Sequence, residues 1–382
     1  MENINAEPSR VFEKAADFRA KIKSVIISQK NFICGNLWTK KTLWIKNSVE
    51  KNNKSVDKDM RKEDLRIVFM GTPEFAVETL DALVKGGYNV VAVVTQPDKP
   101  VGRHGSVLQP SQVKQYAVEH GLPVLQPVKM KDEDFVNQLR SYNANLQVVV
   151  AFRMLPEVVW DMPEYGTFNV HAALLPQYRG AAPINWAVIN GETRTGVTTF
   201  FLDHDIDTGK VIMQLPFDIH DDYNVEDVYD GLMHLGADIC IKTLERIVES
   251  DGHPEAIPQE ELMTAGEALL PAPKIFKETC QIDWTKTSKQ VYDFVRGLSP
   301  YPGAWTTLTD SDGKETVLKI YATSKVANGH NGGAAPGTII VEGKRLLMAT
   351  GDGVVQLEEV QLAGKKRMKA QDFLNGMKKL VR

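Results

Sequence analysis

Leu65-Arg-Ile-Val-Phe-Met70 is an apolar run of strand length that stops at Gly71. From Glu74 to Lys85, Phe75, Thr79, Leu80, Leu83 and Val84 fall on one helical face, and Gly86-Gly87 closes the segment. Val90-Val-Ala-Val-Val-Thr95 then repeats the strand-length run. A short run that is apolar at every position reads as a strand buried on both faces, as in a parallel sheet. An amphipathic helix between two such runs is the crossover that parallel strands need. The stretch 65–95 therefore decides for an α/β fold.

The pattern continues outward. The loop Gln96-Pro-Asp-Lys-Pro-Val-Gly-Arg-His-Gly105 is too rich in Pro and Gly for regular structure. Helices are expected over 111–119 and 132–141, with an extended piece at 123–125 between them. Strands are expected over 146–152, 167–172 and 197–202, and a long helix over 224–249 with Asn224 as its cap and Glu226 and Asp227 in its first turn. The expectation is a doubly wound, mostly parallel sheet covered by helices on both faces. Beyond a Pro-punctuated stretch, one helix (288–297) precedes five short β-like segments at 304–308, 316–321, 337–341, 346–350 and 354–360. That spacing suggests a small β-barrel of the oligonucleotide-binding (OB-like) type. The expected organisation is an extension over 1–62, disordered or non-native, with Met60 as an alternative start; a catalytic domain over 63–250; a linker over 251–273; and the barrel over 274–382.

Composition narrows the class. Of 382 residues, 43% are hydrophobic and 25% charged, which permits a large core and argues against wholesale disorder. Cys34, Cys240 and Cys280 are too far apart for a disulfide framework or a clustered zinc site. No apolar run approaches the roughly 18 residues of a membrane-spanning helix, and residues 1–59 carry no secretory pattern. A soluble, cytoplasmic protein is the default expectation. The net charge of −4 conceals a split. Residues 60–267 hold 16 basic against 31 acidic residues, whereas residues 268–382 hold 17 against 11. A basic C-terminal third points to an anionic partner such as nucleic acid, against the plainer reading of an ordinary solvated surface.

Open parallel sheets bind ligands beyond the carboxyl ends of their strands. Gly71-Thr-Pro-Glu-Phe75 follows the first strand but lacks the glycines of a dinucleotide site, which leaves a tight strand-to-helix turn. Asn169-Val-His171 is more telling, because residues two apart in a strand project to one side. A Pro-terminated apolar loop follows, Ala172-Ala-Leu174-Leu175-Pro176, whose backbone groups are expected to serve solvent or a ligand. Asp203-His-Asp205-Ile-Asp207 brings carboxylates after the last strand, so that the amide, imidazole and acidic loop are expected at one sheet end. A carboxylate beside an imidazole orients it and favours its cation. A satisfied structural histidine is the bland alternative. An EF-hand is disfavoured by the missing Gly and Glu, and no G-x-S-x-G nucleophile elbow occurs.

These residues, with Arg179-Gly180, Gly180-Ala-Ala-Pro183, Asp207-Thr-Gly209, Gln96-Pro-Asp98, Arg296-Gly-Leu-Ser-Pro-Tyr-Pro302 and Ala363-Gly-Lys-Lys-Arg-Met-Lys-Ala370, resemble the folate-dependent formyltransferases from about Leu65 to the C-terminus. The resemblance implies transfer of a formyl group from 10-formyltetrahydrofolate to the amino group of methionyl initiator tRNA, without a metal. It implies Asn169, His171 and Asp207 as the catalytic trio. The folate would lie against Ala173, Leu174, Leu175 and Pro176 and against Phe152, Arg153, Met154 and Leu155. Arg103, Lys365, Lys366, Arg367 and Lys369 would meet tRNA. The implied protein is a monomer with no membrane partner. Two departures stand out. His104-Gly105-Ser106-Val107 follows Gly102-Arg103 where the family often continues with a basic pair, and the strand end Ala151-Phe-Arg-Met-Leu155 stands where many members have a Tyr-Gly pair. The alternatives are a transformylase acting on a small amine, such as glycinamide ribonucleotide or a sugar nucleotide, and a non-catalytic folate- or RNA-binding module.

Overall fold

Strand β1 (Arg66–Gly71) lies inside the sheet with a parallel neighbour on each side, and its residues Ile67 to Met70 are fully buried. They divide between two cores by simple alternation. Ile67 and Phe69 join one apolar cluster, and Val68 and Met70 join another on the opposite face. Fully burying each such side chain contributes about 1.5–3 kcal/mol over leaving it exposed. The computed structural model describes residues 60–101, 107–264, 266–309, 313–327 and 329–376. Nearly all of the expected extension and the expected tRNA contact Arg103 lie outside these residues.

After β1 come α1 (Glu74–Lys85), β2 (Asn89–Val94), the short hairpin β3 (Lys99–Val101) and β4 (Val107–Gln109), and α2 (Gln112–Glu119). The hairpin departs from the expected irregular loop. Next are β5 (Val124–Leu125), α3 (Glu133–Ser141), β6 (Leu146–Val150), α4 (Glu157–Trp160) and β7 (Thr167–His171). The two-residue β8 (Arg179–Gly180), α5 (Pro183–Ile189), β9 (Arg194–Phe201), β10 (Val211–Asp218) and α6 (Val225–Glu249) complete the first module. The sheet order is β10-β9-β7-β6-β1-β2-β5. Strands β7, β6, β1, β2 and β5 run parallel, and β9 and β10 add to the β7 edge in antiparallel sense. The sequence pattern misses β10, because Pro216 and its mixed polarity disguise it. Proline is tolerated there because β10 is an edge strand.

The expected helices end close to where the sequence puts them, while α4 and α5 are not expected from it. Asn224 caps α6 by accepting from the N–H groups of Glu226 and Asp227, and Asp227 Oδ2 accepts the Asn224 N–H in return. Pro73 at the start of α1 offers no side-chain cap. Tyr229 of α6 compensates, its hydroxyl accepting the Phe75 N–H at 2.9 Å.

The second module contains α7 (Ser288–Gly297), β12 (Ala304–Thr309), β13 (Glu315–Lys325), β14 (Ile339–Glu342), β15 (Arg345–Ala349), β16 (Val354–Leu362), β17 (Met368–Lys369) and α8 (Ala370–Gly376), with β11 (Pro271–Ala272) on the approach. Its antiparallel sheet runs β12-β13-β16-β15-β14, with β17 also on β16. Register shifts in β13 bend the sheet, so the small barrel is a curled half-barrel around its own core.

The modules meet through α5 and α7. Asn185 donates to Gly297 O at 2.9 Å, Arg296 donates to Tyr223 O at 2.7 Å, and Lys325 pairs with Asp221. Residues 251–273, expected as a linker, pack along the first module: Ile257 pairs with Val211, and β11 pairs in parallel with β8.

Candidate active site

Asn169 and His171 stand two residues apart on β7 and line the same cavity, of about 800 Å³. His171 is only 6% exposed. Its Nε2 lies 2.9 Å from the Tyr178 carbonyl. A carbonyl can only accept, so Nε2 carries the proton and Nδ1 is the ring nitrogen left for chemistry. Nδ1 faces Asp207 Oδ2 at 3.8 Å. Tyr178 is itself fixed, its hydroxyl donating to Glu192 at 2.6 Å and its N–H to Leu270 O at 2.6 Å. Burial and that Glu192 contact push its phenol pKa up.

Asp207 arrives by a route the sequence does not suggest. Because β9 runs antiparallel to β7, its carboxyl end lies beside Phe168 rather than beside His171. The loop after β9 therefore turns back toward His171, and the expected meeting of two parallel strand ends is corrected on this point. Asp207 takes a positive φ of 55° within the loop, and its Oδ2 accepts the Gly180 N–H at 2.9 Å. Gly209 ends the loop where nothing larger fits, since a Cβ there would sit 1.7 Å from Phe201 O.

The side chains expected to hold a folate divide. Phe152, Arg153, Met154 and Leu155 line the cavity, together with Trp160 and Leu202. Ala173, Leu174, Leu175 and Pro176 do not. The backbone groups of their loop go to protein partners: Leu175 N–H donates to Thr198 Oγ1 at 3.1 Å, Thr198 donates to Ala173 O, and Gln214 donates to Leu175 O. The Leu175 side chain packs on Phe200 and Val211 in a small core of its own. Arg153 braces the rim by donating to the carbonyls of Pro127 and Val128, and burial lowers its guanidinium pKa. Asn169 Oδ1 is buried and has no hydrogen-bond partner, a cost the fold carries at this residue.

Far along the chain, Lys365, Lys366 and Lys369 are exposed around β17. Arg367 is engaged instead, paired with Glu359 and stacked 4.4 Å from the Tyr321 ring centroid. Among the described residues, no group of three or more His, Cys, Asp or Glu is arranged to hold a metal ion, and no helix is long and apolar enough to cross a membrane. Sequence reasoning missed Tyr178, whose main-chain carbonyl matters rather than its side chain. It also missed Lys274, which reaches the cavity from the start of the second module.

The formyl transferase family matches residues 65–244, and its C-terminal domain matches residues 274–378. The chain belongs to the formyl transferase family. Residues on both matched segments, Asn169, His171 and Asp207 on the first and Lys274 on the second, border the same cavity. The methionyl-tRNA formyltransferase of Parabacteroides distasonis is 62% identical over 323 residues, covering 84% of this chain and 98% of that protein. The methionyl-tRNA formyltransferase of Porphyromonas gingivalis is 49% identical over 317 residues, covering 83% and 97%. Among solved structures, HypX from Aquifex aeolicus in complex with tetrahydrofolic acid has a TM-score of 0.53 at 18% identity over 82% of this chain and 48% of that one. WlaRD, a sugar 3N-formyltransferase, has a TM-score of 0.54 at 17% identity over 79% and 99%. These two likenesses concern the fold.

Proposed function

We propose that this protein transfers the formyl group of 10-formyltetrahydrofolate to the free amino group of methionyl initiator tRNA. One observation carries the chemistry: an amide side chain, an imidazole and a carboxylate converge on a cavity large enough for a drug-sized ligand. The acceptor is supported by close relatives named for methionyl-tRNA and by the second module with its exposed lysines. In this reading the setting is the cytoplasm and the protein acts as a monomer.

The apolar wall of Phe152, Met154, Leu155 and Trp160 suits the flat ring system of a folate, which supplies the formyl carbon. The work of the chain is then electrostatic and positional. As the amine attacks, charge develops on the formyl oxygen, and the Asn169 Nδ2 group donates to it from a fixed position. His171, with Nε2 committed to Tyr178, handles a proton only at Nδ1. There it receives the proton leaving the attacking nitrogen and returns it to the folate nitrogen as the C–N bond breaks. Asp207, held through Oδ2 by Gly180, balances the imidazolium and keeps its other oxygen for the substrate amine or a bridging water. The formyl carbon stays at one oxidation level throughout, so no electrons enter or leave.

The test is direct. The full chain is mixed with labelled 10-formyltetrahydrofolate and either methionyl initiator tRNA or glycinamide ribonucleotide. Label on the tRNA supports the reading, and label on the ribonucleotide alone overturns it.

A further inference from the structure

The segment between the modules does more than span a gap. Ile257 exchanges two main-chain hydrogen bonds of 2.8 Å with Val211, Leu270 O accepts from Tyr178, and Ala272 O accepts from Ala181 at 2.8 Å. In the middle of this strap sits Gln259, fully buried. A glutamine side chain has two N–H donors and two lone pairs on its oxygen, and here all four are used. Nε2 donates to the main-chain oxygens of Asp207 and Gly209, at 2.8 Å each. Oε1 accepts from Nε and Nη2 of Arg179, at 3.0 and 2.7 Å.

The two loops joined in this way are the two that aim the Asp207 carboxylate. One is the turn of Asp207 itself, held at a positive φ. The other is Arg179, whose neighbour Gly180 supplies the N–H on Asp207 Oδ2. We propose that Gln259 is a positioning residue for Asp207, and that the strap is thereby a working part of the active site. The inference rests on the reading of Asp207 as catalytic. A purely space-filling residue needs only shape and volume, which Glu or Met would supply. A positioning residue needs the amide. In Gln259→Glu the oxygen that faces Arg179 survives, but a second oxygen replaces the NH₂ and points at two carbonyl oxygens. In Gln259→Met all four bonds go, and the turn loses the donors that fix it.

The experiment measures formyl transfer to methionyl initiator tRNA by the full chain, as wild type, Gln259→Glu, Gln259→Met and Asp207→Asn, with circular dichroism at the assay temperature. Both Gln259 variants are expected to lower kcat by roughly 10²-fold, the scale of a misplaced catalytic group, while KM for the formyl donor and the folded fraction stay close to wild type. Near-normal kcat in Gln259→Glu overturns the proposal, as does a fall in kcat no larger than the fall in folded protein. If Gln259→Met does not fold, the nearly isosteric Gln259→Glu decides alone. Full turnover by Asp207→Asn would instead remove the underlying reading, so the two failures are distinguishable.

Discussion

His171 Nδ1 faces Asp207 Oδ2 at 3.8 Å, and main-chain groups set that gap. The Tyr178 carbonyl fixes the ring from behind, and the Gly180 N–H fixes the carboxylate. Both groups lie in the stretch Tyr178–Gly180 that follows β7 and includes β8, so one short piece of backbone aims both side chains.

Because Nδ1 alone is free for proton transfer, His171→Ala and Asp207→Asn should each cut turnover far more than they weaken donor binding. Asn169→Ala removes one donor to the developing oxyanion and should lower kcat by roughly 10²–10³-fold. Steady-state kinetics on the three variants, with KM for the donor measured separately, check this. An effect confined to KM would contradict it.

Leu175 separates a folding role from a ligand role. It is 2% exposed and packs on Phe200 and Val211 away from the cavity. Leu175→Ala should cost about 2–5 kcal/mol of stability and leave KM for the formyl donor unchanged. Urea unfolding and donor titration of one preparation test both halves.

Asp221 links acid stability to the contact between modules. The hydrogen bond from Lys325, reinforced by the charges of Lys325, Lys289 and Arg296, holds its carboxyl below the usual carboxylate range. A depressed folded value means that the stabilisation is complete above the ordinary Asp pKa of about 4 and fades as pH falls through the folded value. The pair is largely exposed, so about 0.2–1 kcal/mol is at stake. The stability difference between wild type and Asp221→Asn should be present at neutral pH and shrink below about pH 4. A difference that is constant with pH would contradict the assignment.

Lys365, Lys366, Arg367 and Lys369 are all exposed around β17, but Arg367 is already paired with Glu359. Replacing the three lysines with Ala should weaken tRNA binding and flatten the salt dependence of the affinity, by roughly one unit of slope for each phosphate left without its lysine. Arg367→Ala should change the slope less. Filter binding across a salt series provides the comparison.

Much of the fold was legible because buried parallel strands write themselves as unbroken apolar runs, as in Ile67 to Met70 and Val148 to Val150. Asn169 and His171 were legible as a pair because strand alternation puts them on one side. The rest depended on what no local pattern carries. Nothing in the run from Val197 to Phe201 tells its direction, so the backward turn that delivers Asp207 emerges only from the sheet order. Leu174-Leu175-Pro176 looks like an exposed apolar loop until Thr198 and Gln214 take its backbone groups. Gln259 is a lone polar residue in a Pro-rich stretch, and its importance comes from two loops that are distant in sequence.

The proposed chemistry depends most directly on the Asp207 carboxylate. Single-turnover transfer of labelled formyl from 10-formyltetrahydrofolate to methionyl initiator tRNA, compared between wild type and Asp207→Asn at saturating donor, isolates it. Rapid labelling of the tRNA by wild type is expected, with a rate lower by about two orders of magnitude or more in the variant, roughly the cost of removing one transition-state interaction. Equal rates, or label appearing on a small amine while the tRNA stays bare, would contradict it.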